Sequence, residues 1–158
     1  MNAFNRMAKK DICPECGAVM AGGAKVYMAL PLPDIIDRYT ITKLKLIRFS
    51  PEQKAREPML DAEISAYETA IARIRTEYPQ VDEWINELLD ANGACWDLEW
   101  EIRALSEDEP QWDEIGKRTL LIRKENGRRV AARNKIVHAT GHGFFDHKVG
   151  HTSERDVT

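Results

Sequence analysis

The stretch LDAEISAYETAIARIRTEY, residues 60–78, decides the fold class. Leu60, Ile64, Tyr67, Ile71, Ile74 and Tyr78 recur at alternating spacings of four and three, which lays one apolar stripe along one face of an α-helix. Outward from it, Ser50-Pro51, Pro58, Pro79 and Pro110 punctuate the chain, each suited to a helix start. Ser50-Pro51-Glu52-Gln53 fits a capping box, and Gly141 suits a helix C-terminus. Four main helices are therefore expected near residues 34–49, 58–78, 80–106 and 111–140. Their short connections predict an all-α antiparallel bundle. Residues 1–32 are rich in Gly and Pro and read as an irregular arm, with a short strand at Lys25–Leu30. Residues 33–141 form the bundle, and residues 142–158 read as a loop-like tail.

The chain has 158 residues, the size of one domain able to bury its own core. Hydrophobic residues make up 43% and charged residues 31%, which suits a soluble globular protein. No apolar run approaches the roughly 18 residues a membrane span needs, and MNAFNRMAKKD lacks the apolar core of a secretory signal. Three cysteines are too few for a disulfide framework and favour a reducing, cytoplasmic setting. The net charge of −3 disfavours a nucleic-acid coating protein.

Polar residues interrupt the packing stripes. The third helix has a seam of Val81, Ile85, Leu88, Asn92, Cys95, Glu99 and Ile102, beside a stripe of Asn92, Trp96, Glu99 and Arg103. The fourth has Trp112, Ile115, Thr119, Ile122, Asn126, Arg129, Arg133 and Ile136, core-like in its first half and cationic in its second. The first places Asp34 and Asp37 one turn apart. An unpaired charge on such a seam costs several kcal/mol, so these groups are expected to meet one another, water or a ligand. Asp34, Asp37, Glu99, Arg103, Arg129, Arg133, Asn92 and Asn126 are read as one interhelical cluster, its guanidinium forks suited to carboxylate or phosphate. Charge is also segregated. Residues 77–114 hold thirteen acids and one base, and residues 117–135 hold eight bases and one acid. That pattern describes an acidic helix beside a basic one, or an anion-attracting face on the latter.

At these residues the chain resembles a family of small all-helical proteins of bacteria and their phages, often encoded near surface-polysaccharide glycosyltransferases. The family's G-E-[IV]-x-D-K-x-T-I-L-x-x-K is met by Pro33-Asp34-Ile35-Ile36-Asp37-Arg38-Tyr39-Thr40-Ile41-Thr42-Lys43-Leu44-Lys45. Its N-x-x-x-W-x-x-E-x-x-x-R matches Asn92, Trp96, Glu99 and Arg103, and its N-x-x-R-x-x-x-K matches Asn126, Arg129 and Arg133. Asp34 stands for the family's Glu, and Arg38 and Arg133 for its Lys, each keeping the charge. Pro33 replaces a Gly, and Thr42 an apolar residue. The resemblance covers about residues 33–137 and implies the helical fold. It adds Arg38, Lys45 and Trp96 to the candidate binding residues. The family carries no assigned activity, so no reaction follows from it.

Outside the resemblance, Cys13-Pro14-Glu15-Cys16-Gly17 is half of a zinc knuckle. His142, His147 and His151 can complete a structural zinc site with Cys13 and Cys16, or two copies can share an all-thiolate site. His147, His151 and Lys148 can also serve a loop that closes over a ligand, with the histidines as acid or base. Cys95, on an apolar stripe, reads as a small buried residue. Trp84, Trp96 and Trp100 read as core and interface. Glu87-x-x-Asp90 does not complete a metal-hydrolase pattern, since no ExxE precedes it at a suitable distance.

The functional expectation is binding of a small anionic ligand, a nucleotide or sugar phosphate, at the polar cluster. Phage-encoded sequestration of a nucleotide signal is one form of it. Arg103, Arg129 and Arg133 would hold the anion, Asp34, Asp37, Asn92 and Asn126 would orient the rest, and Glu99 would fix an arginine. One alternative is a structural or adaptor protein that forms homo-oligomers, the cluster fixing helix register. A second is a metal-dependent nucleotide hydrolase.

Overall fold

The computed structural model describes residues 30–105 and 110–147, together with two short strands near the N-terminus. β1 (Asp11–Ile12) pairs antiparallel with β2 (Val19–Met20), Asp11 opposite Met20 and Ile12 opposite Val19. This ladder lies earlier than the strand expected at Lys25–Leu30; residues 25–29 are outside the described residues. Among the described residues five helices follow: α1 (Leu32–Arg48), α2 (Pro51–Ala55), α3 (Leu60–Glu77), α4 (Val81–Ala104) and α5 (Trp112–Thr140). The four long ones are those expected, displaced by no more than two residues at their ends. No described helix is long and apolar enough to cross a membrane.

Local chemistry sets the ends. Pro33 sits at the start of α1, where its missing N–H has no helical partner to lose. Ser50 closes a reciprocal capping box with Gln53, and it opens the five-residue α2, a separate helix that the spacing of apolar residues does not reveal. Pro58 and Pro79 lie in turns just before α3 and α4 rather than inside them. Gly141 takes φ 69° and donates its N–H to the Val137 carbonyl at 2.8 Å, ending α5 in the left-handed turn that a glycine adopts without strain.

Ion pairs show the directions. Asp90 pairs with Arg128, Glu87 with Lys135 and Glu101 with Arg118, so α4 and α5 run antiparallel. The acidic and basic helices thus neutralise each other along one edge. Asp34 meets Arg133 and Asp37 meets Arg129, so α1 also runs antiparallel to α5. α3 and α4 turn back on each other through Tyr78 and Trp84, whose rings lie 5.9 Å apart.

The core collects the apolar stripe of α3. Leu60, Ile64 and Ile71 are buried, and Tyr67, Ile74 and Tyr78 pack against them half-buried. Ile36 and Tyr39 of α1, Val81, Trp84, Ile85 and Leu88 of α4, and Ala132 and Ile136 of α5 complete it. Burying each large side chain contributes about 1.5–3 kcal/mol. One expectation fails here. Trp112 is 73% exposed, and the first half of α5 contains no buried residue; its core lies in Ala132, Ile136 and Val137. Trp84 is core as expected, but Trp100 is 61% exposed. Helical periodicity places a residue on a face; it does not say how far along that face a neighbour extends.

Candidate functional site

The polar groups expected on the seams separate into an inner network and two surface concavities. The inner network lies where α1, α4 and α5 meet. Asp37 is 3% exposed and Thr40 fully buried. Thr40 and Asp37 share the inward face of α1, three residues apart, and the Thr40 hydroxyl donates to the Asp37 carbonyl at 2.7 Å. Asn92 on α4 donates from Nδ2 to Asp37 Oδ1 and to Thr40 Oγ1, both at 2.9 Å. Arg129 on α5 donates Nε to Asp37 Oδ1 at 2.9 Å and Nη2 to Oδ2, a bidentate fork. Asn126, one turn away, accepts from Arg129 Nη1 at 3.5 Å.

Burial alone would push the Asp37 carboxyl upward. The hydrogen bonds from Arg129 and Asn92 and the charges of Arg129 and Arg133 outweigh it and hold the group below the ordinary carboxylate value. The hydrogen bond to Asp37 in turn raises Arg129, which stays charged. Thr40 is a member of this network that the seam pattern of charges and amides does not point to. The sequence does carry a signal for it, because the motif match at Asp34–Lys45 includes a threonine three residues after Asp37.

Above this network, α1, α3 and α5 enclose a concavity of about 350 Å³. Arg38, Lys45, Arg129 and Arg133 converge on it, with Asp34, Asp37 and Glu63. Arg133 donates Nη2 to Asp34 Oδ1 at 2.6 Å, and its Nε is buried without a hydrogen-bond partner among the described residues. Lys45 reaches Glu57 at 2.8 Å, and Arg38 stands exposed at the rim. Asp146, in the segment after α5, exchanges two backbone hydrogen bonds with the Asn134 side chain and brings its carboxylate to 4.0 Å from Arg133.

Trp96, Glu99 and Arg103 do not join this group, which corrects the expectation of a single cluster. They line a second concavity of about 660 Å³, with Arg48, Phe49, Gln53, Asp97 and Trp100. The cause is geometric: α1 passes over α4 at Gly93, where an added Cβ would lie 3.4 Å from Arg48 and 3.9 Å from Leu44. Beyond that crossing α4 leaves α1 behind. Glu99 and Arg103 are exposed, and Glu99 makes no ion pair among the described residues, so it does not fix an arginine there. The arginine fixed at this crossing is Arg48, held by Asp97 and the Gly93 carbonyl, with its guanidinium 6.0 Å from the Trp96 ring. Arg48 lies off the seams, so spacing alone does not single it out. Trp96 packs against Phe49 with ring centres 5.8 Å apart.

Cys13, Cys16 and His151 lie outside the described residues, as does Lys148. His142 and His147 are exposed, and no group of three or more metal-ligating side chains converges among the described residues. Cys95 is half-buried rather than buried; burial and Glu125 push its thiol up, away from the reactive thiolate. The carboxylates of Asp34 and Asp37 are both engaged by arginine side chains. No family model, curated protein or solved structure matches the chain.

Proposed function

We propose that the concavity between α1, α3 and α5 binds a small anionic ligand such as a nucleotide or sugar phosphate. The observation that carries this reading is Arg133: it lines a trough on which four cationic side chains converge, and its buried Nε has no partner among the described residues. A buried donor left without an acceptor costs about 1–3 kcal/mol, and a shift of the Arg133 side chain toward a phosphoryl oxygen in the trough would satisfy it. Arg38 at the rim and Lys45 beside it add charge at the mouth. The cluster thus has two layers of distinct role. Asp37, Thr40, Asn92 and Arg129 form a closed network that fixes the register of three helices. Arg38, Lys45 and Arg133 face the ligand. The motif resemblance to phage proteins fits sequestration of a nucleotide signal as one form of this activity.

The test is a melting-temperature screen with inorganic phosphate, a nucleoside diphosphate and a hexose phosphate. At least one is expected to raise the melting temperature of the intact chain. Arg133→Gln and Arg38→Gln should each remove the rise while keeping the helical circular dichroism. No rise with any of the three, or a rise that survives both substitutions, would overturn the proposal.

A structural zinc ion at Cys13 and Cys16 is a second, separate proposal. Pairing of β1 with β2 brings together the two ends of the segment that holds both cysteines. Metal analysis of the purified chain should find zinc, and Cys13→Ser should lose it; equal metal content in both would remove the idea.

A further inference from the structure

The trough between α1, α3 and α5 holds fewer spare cations than its lining suggests. Arg129 is taken by Asp37, Lys45 by Glu57 and Arg133 by Asp34, and a second guanidinium nitrogen of Arg133 lies 4.0 Å from Asp146. Arg38 is the cation of the lining that pairs with no carboxylate among the described residues. Glu63 is its counterpart. It stands exposed on α3, lines the same trough, and pairs with no cation among the described residues. Opposite charges that share one trough without meeting leave the gap between them to a ligand. Asp34 adds a second acceptor, since Arg133 occupies one of its oxygens and the other carries no hydrogen bond among the described residues. The walls are otherwise polar. Ile41 is the one apolar side chain in the lining, and no aromatic ring lines it; Tyr67, one turn from Glu63 on α3, packs against the core instead.

We infer that the ligand of this trough is a sugar or polyol bearing a single phosphoryl group. The inference rests on the anionic-ligand reading above and narrows it. One phosphoryl group, carrying about 1.5 to 2 negative charges, is met by Arg38 and Arg133. A second would find no spare cation and would face the carboxylates of Asp34, Asp37, Glu63 and Asp146, which repel it. Hydroxyls take the other end. An ionised carboxylate only accepts hydrogen bonds, so Glu63 and the open oxygen of Asp34 call for O–H donors on the ligand, and such bonds are the short, charge-assisted kind. A sugar ring presents several of these donors on a small body. The trough, at about 350 Å³, suits that size; it lies near the lower end of the roughly 300–1,000 Å³ of small-molecule sites. The same walls disfavour a nucleobase, which is held by stacking on rings that the trough does not supply.

Isothermal titration of the full chain with inorganic phosphate, adenosine diphosphate and the monophosphates of glucose, mannose, galactose and ribose tests this. At least one sugar phosphate should bind about tenfold or more tightly than either inorganic phosphate or adenosine diphosphate, the gain expected of a hydrogen bond to a charged group. Glu63→Gln should shrink the advantage over inorganic phosphate to about threefold or less. Glu68→Gln makes the same charge change on α3 outside the trough and should keep the full advantage. Glu63 is exposed, so its substitution opens no core, and helical circular dichroism should match the parent's. Adenosine diphosphate or inorganic phosphate binding as tightly as the best sugar phosphate would overturn the inference while leaving the anionic-ligand reading in place. So would an advantage that survives Glu63→Gln, or one lost equally in Glu68→Gln. Binding of none of these compounds would end both.

Discussion

Asp37 carries more of this structure than any other polar residue. Its carboxylate accepts from two helices while sitting on a third, so it ties α1, α4 and α5 at one point. Removing Arg129 strands that charge. Arg129→Ala is expected to cost about 3–5 kcal/mol, read as a lower urea midpoint, whereas Arg133→Gln, at a partly open pair, should cost under about 1 kcal/mol. Thr40→Val keeps the shape but removes an acceptor from Asn92, and about 1–3 kcal/mol should be lost. The acid limb follows from the depressed Asp37 carboxyl. A folded value below the unfolded one means its contribution is complete above about pH 4 and disappears as pH falls through the folded value. Melting temperature should therefore fall steeply below about pH 4, and Asp37→Asn should be less stable at neutral pH yet flatter over that acid range. An Asp37→Asn variant with an acid limb as steep as the parent's would contradict the assignment.

At the level of elements, α5 behaves as two halves. Its C-terminal half is clasped by α1 and α4; its N-terminal half leans on α4 alone. Gly116 lies in the second kind of environment, in a helix, with nothing within 4 Å of the Cβ it lacks. Gly116→Ala should then raise stability by about 0.5–1 kcal/mol, since helical backbone entropy improves and no neighbour objects. Gly93 is the contrasting case. It permits α1 to cross α4 closely, and a larger side chain there must displace Arg48 from its position over Trp96. Gly93→Leu is expected to lower the melting temperature, and the difference between the two glycine variants is the measurement that separates propensity from packing.

For the whole molecule, protection should be uneven. The core formed by Ile36, Ile71, Val81, Leu88 and Ile136 closes the base of the bundle, while the arm of residues 94–105 and 112–124 buries nothing fully. Hydrogen exchange at low protein concentration should show backbone amides of α1 and of α4 before Gly93 opening only with global unfolding. Amides of the arm should exchange through local opening. Uniform protection along α4 would contradict this division and show the arm to be held as firmly as the base.

Much is legible in the chain itself. Helices announce themselves by local spacing, and the stripe from Leu60 to Tyr78, the box at Ser50 and the stop at Gly141 each depend on residues within one or two turns. The polar seam is legible for the same reason: Asp37, Asn92 and Arg129 sit where the period calls for apolar side chains, and water exclusion obliges such groups to find one another. What spacing along one helix cannot contain is the angle at which another crosses it. Asn92 and Glu99 occupy equivalent positions one heptad apart, yet the first is sealed beneath α1 and the second is exposed. Trp112 repeats the register of Arg133 and still faces solvent. The crossing at Gly93 decides all of these fates, because burial depends on where the neighbouring rod ends, and that is a property of the packed molecule.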